Sequence, residues 1–216
     1  MGTDNRQTLL EFGATAAARI QERGTQDSSA IQAHLLDIAE ALAAGISLEE
    51  MRAEQGEEAS IRDAFLREAR IGAAGVRLGI DYDSRTWRML ELTFKLSAWL
   101  SETVISSDEF VQCQIRDAMA YLNKLRAGIG TWVEHSPLDR ATKSGITLER
   151  LDTTEAEVKR LERGAKARLA KVALARVRNG YGDLVTFRRW IRAALDVGVT
   201  VEELGTSDEE IAQLGT

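Results

Sequence analysis

A single proline, Pro137, in 216 residues is the feature that most constrains how this chain can fold. Proline removes an amide donor and breaks helix interiors, and an average chain carries about 5% of it. Long helices are therefore permitted almost everywhere. Ala, Leu, Glu and Arg, all good helix formers, are abundant. The expected fold class is all-α, a bundle of about eight helices.

At 44% hydrophobic, the chain can bury a real core in one domain or two small ones. The lone Cys113 excludes an internal disulfide and suits a reducing cytosol. The N-terminus lacks the basic-then-apolar order of a signal peptide, and no apolar run nears the roughly 20 residues of a membrane span. The expectation is a soluble, cytoplasmic protein with no membrane partner.

Helical periodicity assigns the elements. Residues 4–22 place Leu9, Phe12, Ala16 and Ile20 on one face, with Gly24 as a stop; residues 29–44 do so with Ile31, Leu35, Ile38 and Leu42. A short helix is expected at 48–55 and a longer one at 58–78, separated by Gly56. After the polar loop Asp81-Tyr82-Asp83-Ser84, residues 85–104 are apolar almost all round (Trp87, Met89, Leu90, Leu92, Phe94, Leu96, Trp99, Leu100), the mark of a buried central helix. Next, Val111, Ile115, Ala118, Leu122, Leu125, Ile129 and Trp132 alternate steps of four and three, the seam of a heptad. Its partner is either an antiparallel helix of the same bundle or a second copy, giving a homo-oligomer through 111–132. The polar stretch 136–146 reads as the boundary between an N-terminal lobe, 1–136, and a basic C-terminal lobe, 146–216, unless the two form one domain.

One corner recurs three times: Gly45-Ile46-Ser47-Leu48-Glu49, Gly145-Ile146-Thr147-Leu148-Glu149 and Gly198-Val199-Thr200-Val201-Glu202. The glycine ends one helix in a left-handed cap, and the hydroxyl opens the next segment. Met51, Leu151 and Leu204 sit where a hydrophobic staple needs them. The first and third copies extend to Ala41-Leu42 and Ala194-Leu195. Leu10-Glu11-Phe12-Gly13-Ala14 also resembles Leu161-Glu162-Arg163-Gly164-Ala165. Two similar lobes offset by about 150 residues would explain this; so would the common spelling of helix corners. The corners are helix-turn-helix-like, over 35–67 and again, truncated, over 187–214. Arg52 occupies a position that normally takes a small residue, and Glu54, Glu57 and Glu58 would repel a duplex from the first copy.

Charge is the sharpest functional signal. Between Lys159 and Arg192 lie eleven Lys and Arg against Glu162 and Asp183, a local +9 in a chain of net −6. Thr154 and Glu157 cap the first helix of this stretch; Asn179-Gly180-Tyr181-Gly182-Asp183 interrupts it; a second helix stops at Gly198. The candidate nucleic-acid or partner-binding residues are Lys159, Arg160, Arg163, Lys166, Arg168, Lys171, Arg176, Arg178, Tyr181, Arg188, Arg189, Trp190 and Arg192. Cations beside aromatics suit a phosphate backbone, by neutralisation and stacking, and suit an acidic protein surface equally. The competing reading is that the same chain's carboxylates neutralise them.

Catalytic and metal chemistry find little footing. His34, His135 and Cys113 do not make a zinc-like cluster. Glu49-Glu50 and Glu202-Glu203 lie where helix caps and dipoles explain them. Gly128-Ile129-Gly130 and Gly180-Tyr181-Gly182 lack the strand and Lys of a phosphate loop. Neither a catalytic residue nor a cofactor is expected. The function favoured is a non-enzymatic regulatory or accessory factor touching nucleic acid, or a nucleic-acid-bound complex, through the basic surface. The rivals are a helical protein–protein adaptor or assembly subunit, and a small-molecule-binding bundle using the Trp-rich core.

Overall fold

The computed structural model describes residues 3–23, 28–53, 57–80, 84–132, 136–181 and 184–214. Gly24, Glu54, Gly56, Asp81–Asp83, His135, Gly182 and Asp183 thus lie outside the described residues. All regular structure among the described residues is helical: α1 Thr3–Arg23, α2 Ser28–Ala43, α3 Glu57–Leu78, α4 Ser84–Lys95, α5 Ser97–Leu100, α6 Ser107–Arg126, α7 Pro137–Lys143, α8 Glu155–Arg178, α9 Leu184–Leu195, α10 Val201–Leu204 and α11 Asp208–Gln213, with a 3₁₀ turn at Glu149–Leu151. Eight of these helices have seven residues or more, the all-α architecture that the scarcity of proline dictates. None of the described helices is long and apolar enough to cross a membrane.

The chain divides into two compact units, Met1–Cys113 and Gln114–Thr216, and the division falls within α6. In the first unit α1 packs along α2, and α4 lies against α2 and α3. Leu35, Ile38, Ile61, Phe65, Leu90, Leu92 and Ile105 form its centre, each 1% exposed or less. In α1 the buried face is Gly13, Ala16, Ala17 and Ile20, while Phe12 points outward at 57% exposure. A Cβ at Gly13 would crowd the Met51 side chain and come within 3.1 Å of the Ala41 Cβ, so the first corner packs on a bare backbone. In the second unit α8 packs along α9 and touches α10. Ala170, Ala173, Leu174, Phe187, Ile191 and Ala194 are buried together there.

Four segments differ from expectation, each for a local reason. Of the segment 48–55, the described residues 48–53 form a turn and not a helix. The Ser47–Glu50 capping box closes (2.9 and 3.1 Å), but Arg52 takes φ +60°, and a left-handed residue cannot continue a right-handed helix. The first corner is therefore a turn between two helices, without the short middle helix of a helix-turn-helix. The 85–104 segment is not one helix. Its path is interrupted at Leu96 (φ −101°, ψ 13°) and ends at Ser101 (φ +59°). The all-round apolarity arises because α4, α5 and the irregular Val104-Ile105 all turn inward. The heptad helix stops at Arg126, since Gly128 (φ +73°) reverses the chain and leaves Ile129 79% exposed. Ala118, Leu122 and Leu125, which a second copy would need, are buried in the second unit. The stretch 136–146 is no exposed loop: Ser136 closes a capping box with Asp139, Pro137 sits in the first turn, and Leu138 and Ala141 are buried. A proline at that position lacks only an amide that has no helical partner.

The three corners have one backbone solution. In each, the residue after glycine donates to the alanine five positions earlier: Ile46 to Ala41 (3.0 Å), Ile146 to Ala141 (3.0 Å) and Val199 to Ala194 (3.1 Å). The glycines stand at φ +80°, +84° and +80°. Seven residues on, each corner ends on a second left-handed residue: Arg52, Asp152 and Gly205. All three alanines are 0% exposed. The long helices α3, α6 and α8 end alike, on Gly79, Gly128 and Gly180, with Ile80, Ile129 and Tyr181 donating back to Gly75, Lys124 and Arg176. These tips are 49 and 52 residues apart, and the last two corners 53. The recurring unit is a pair of helices with a period near 50 residues, and the 150-residue offset is three such periods.

Because nothing lies within 4 Å of a Cβ built at Gly145 or Gly198, alanine there meets only backbone strain. Each substitution is expected to lower stability by about 1–2 kcal/mol in urea unfolding. Leu122→Ala should cost ~2–5 kcal/mol, whereas Ile129→Ala should leave the midpoint nearly unchanged.

Candidate partner-binding surface

The basic stretch is built on α8 and α9. The α8 helix starts where the Thr154 hydroxyl accepts the Glu157 amide (3.2 Å), and ends where Gly180 turns left-handed. The sixteen residues from Lys166 to Tyr181 contain no acid, so any neutralisation must come from the first turns of α8 or from elsewhere in the fold.

Much of it does. Lys159 pairs with Glu155 (2.7 Å), Arg160 with Glu157 (3.5 Å), Arg163 with Glu203 (2.5 Å), Lys166 with Glu162 (2.6 Å) and Arg178 with Glu210 (2.8 Å). Arg168 donates to the Gly130 carbonyl (3.0 Å). Lys171, Arg176 and Arg192 are exposed and make no ion pair among the described residues. Arg188 is half-buried, and its Nε faces no acceptor there. Arg189 is exposed. Tyr181 stands 72% exposed, with Leu184 and Val185 beside it in sequence at 47% and 72%. Trp190 does not join them: it is half-buried in the apolar cluster of this unit, its ring 5.6 Å from that of Phe187.

Two of these arrangements recur. Arg178 grips Glu210 with both Nε and a terminal nitrogen (2.8 Å each) and donates again to the Gly205 carbonyl (2.8 Å). Arg126 grips Glu157 (3.0 and 2.9 Å) and donates to the Asp152 carbonyl (2.7 Å). Arg77 grips Glu109 (2.6 and 3.0 Å) and donates to Val104 (3.1 Å). In every case the arginine lies two residues before the left-handed tip glycine. The glutamate is the third helical residue after a Ser or Thr cap, and the carbonyl lies five residues before that glutamate. The planar fork of arginine makes this bidentate geometry possible. A second contact joins long helices to corners: Arg6 with Glu50 (2.6 Å) and Arg163 with Glu203 (2.5 Å). The middle corner has Arg150 at that place instead.

Titration follows from this geometry. The Arg126 guanidinium, with help from the Thr153 hydroxyl, holds the Glu157 carboxyl down at about 2. Arg178 and then Thr206 hold Glu210 at about 2. Glu109 is lowered by Arg77, and Glu203 by Arg163.

The two units differ in charge. Residues 1–113 carry eleven Lys and Arg against nineteen Asp and Glu, a net of −8. Residues 114–216 carry seventeen against fifteen, a net of +2. The +9 stretch is thus largely offset within its own unit. Among the described residues no three His, Cys, Asp or Glu side chains converge on a metal-sized site, and Cys113 is buried. A cleft in the first unit, lined by residues including Gln32, Glu68, Arg85 and Met89, has a volume of about 20 Å³, room for roughly one water. Trp87 packs against Phe110 (5.5 Å) with 3% exposure. No protein-family profile, curated protein or solved structure matches the chain.

Sequence reading alone missed Arg77, Arg126 and Ile129. The signal was present as Arg77-Leu78-Gly79-Ile80, Arg126-Ala127-Gly128-Ile129 and Arg178-Asn179-Gly180-Tyr181. Its meaning needed the distant glutamates. Both Glu157 and Glu210 ionise more readily folded than at their ordinary 4.5. Their contribution to stability is complete above that value and is lost as pH falls through about 2. The denaturation midpoint should therefore decline across that window, and Glu157→Gln with Glu210→Gln should flatten the decline.

Proposed function

We propose that this chain is a non-enzymatic helical adaptor whose C-terminal unit receives an acidic protein partner. The observation that carries this reading is the make-up of the surface left after internal pairing. Arg176 is exposed and makes no ion pair among the described residues, Lys171 acts on Glu203 only at longer range, and Val172 on α8 and Tyr181 just beyond its end stand exposed. Interfaces between proteins favour Arg, Tyr and aliphatic side chains together, with the aromatic as anchor. A phosphate backbone asks instead for a continuous, uncompensated run of cations, and here at least five of the eleven are engaged by carboxylates among the described residues.

Nucleic-acid binding is the second reading, favoured by Arg188 and Arg192 lying close in sequence to the exposed Tyr181. Fluorescence anisotropy at low salt separates the two. The probes are a sixteen-residue Leu/Glu/Ala peptide and a single-stranded oligonucleotide of equal formal charge. The peptide is expected to bind at least tenfold more tightly, and Lys171→Glu with Arg176→Glu should weaken it tenfold or more. Tighter binding of the oligonucleotide, with a steep salt slope, would replace the adaptor by the nucleic-acid reading. Binding of neither probe would remove both.

A further inference from the structure

The adaptor reading leaves open where on the unit a partner would lie and what form it would take. The tips of the long helices bear on both. A left-handed glycine cap ordinarily brings the residue after glycine back onto the helix it closes, in an apolar contact. The three corners obey this: Ile46, Ile146 and Val199 are 1%, 3% and 3% exposed. The three tips share the backbone hydrogen bonds and do the opposite. Ile80, Ile129 and Tyr181 are 51%, 79% and 72% exposed. One backbone motif thus serves two ends, and at the tips its apolar residue is not used by the fold.

In the second unit two of these tips are tied to one helix. The Arg168 side chain on α8 donates to the carbonyl of Gly130, the residue after Ile129, which holds the α6 tip beside the middle of α8. Tyr181 follows the C-terminal end of α8. Between them, Arg168, Val172 and Arg176 follow one another at steps of four, one row of a helix surface. Val172 is 47% exposed, Ala175, Arg176 and Asn179 are exposed, and Lys171 flanks the row. The distance along the axis from Arg168 to Asn179 is about 17 Å at 1.5 Å per residue. This ridge has apolar ends, an apolar middle, cations along its side and no acid.

We propose that this ridge, from Ile129 across Val172 to Tyr181, is the docking surface of the adaptor, and that its occupant is an amphipathic acidic helix of a partner protein. The inference rests on the adaptor reading. A helix is required because α8 satisfies its own backbone and presents no strand edge. An extended peptide laid along the ridge would find no backbone partners, whereas a helix brings its own. Three to four turns cover the length, with apolar side chains meeting Ile129, Val172 and Tyr181. Carboxylates are required because Lys171 and Arg176 make no ion pair among the described residues. Arg168 is a positioning residue that holds the α6 tip in place.

The test uses the full chain and three sixteen-residue probes of closely similar charge and hydrophobicity: an amphipathic Leu/Glu/Ala helix, a scrambled version, and the helix with a central proline. The intact helix is expected to bind at least tenfold more tightly than the other two. Ile129→Glu, Val172→Glu and Tyr181→Glu should each weaken it tenfold or more with unchanged circular dichroism and melting temperature, since all three side chains are exposed. Val185→Glu and Arg192→Glu on α9 should change it less than threefold. If the α9 substitutions abolish binding and the α8 substitutions do not, the ridge is wrong and the adaptor stands. If the scrambled or proline probe binds equally, the helical occupant is wrong. If no acidic peptide binds, the adaptor reading fails with it.

Discussion

The bidentate grip of an arginine at the end of a long helix on a glutamate at the start of a later one organises this molecule. It recurs as Arg77–Glu109, Arg126–Glu157 and Arg178–Glu210. Each grip joins three features that could otherwise vary independently: the end of one helix, the start of another and the backbone of the turn before it, through the second donation to Val104, Asp152 or Gly205. A lone surface ion pair contributes little. These add planar two-point geometry and a backbone acceptor, and their value lies in register as much as in energy. They also explain why Glu157 and Glu210, unlike Glu109, do not close their own boxes. The Ser or Thr hydroxyl takes the amide of Glu109, Glu157 or Glu210, while the carboxylate turns to the arginine.

The same grip governs the electrostatics. A count of the sequence between Lys159 and Arg192 reads as a strong positive run, yet carboxylates outside that run, Glu155, Glu157, Glu203 and Glu210, sit against four of its cations. What is left for another molecule is smaller, and it is interleaved with apolar side chains. That mixture shifts the functional reading from a polyanion toward a protein surface. The proposed site accordingly lies on the outer row of α8, Trp190 of α9 being packed against Phe187.

What the sequence disclosed depended on the range of the interaction concerned. Signals that act within one turn were legible: the hydroxyl caps at Ser47, Thr154, Thr200 and Ser207 and the corner glycines stand as their spacing implies, and Met51, Leu151 and Leu204 are buried. The helices 4–22, 29–44 and 58–78 were legible for the same reason. Backbone reversals at non-glycine residues were not. Nothing in Arg52 or Ser101 announces a positive φ, so a turn was read as a helix and an interrupted path as one long helix. The 136–146 stretch reads as a boundary because it is polar, whereas its proline opens the first turn of α7. The candidate site was legible only in part. Local charge counting found the cations, and Lys159, Arg160 and Lys166 pair within one turn, but the acids of Arg178 and Arg163 lie 32 and 40 positions away. The exposed Ile129 was hidden inside an apparent heptad.

The central claim is that this fold commits some of its arginines internally and leaves others for a partner. Side-chain NMR of the arginine Nε–H groups tests it most directly. The Nε–H of Arg77, Arg126 and Arg178 should exchange slowly with water and change only on acidification toward the low carboxyl pKa values of their glutamates, while those of Arg176 and Arg192 exchange rapidly throughout. A single, uniformly fast exchange rate across all five would contradict the account.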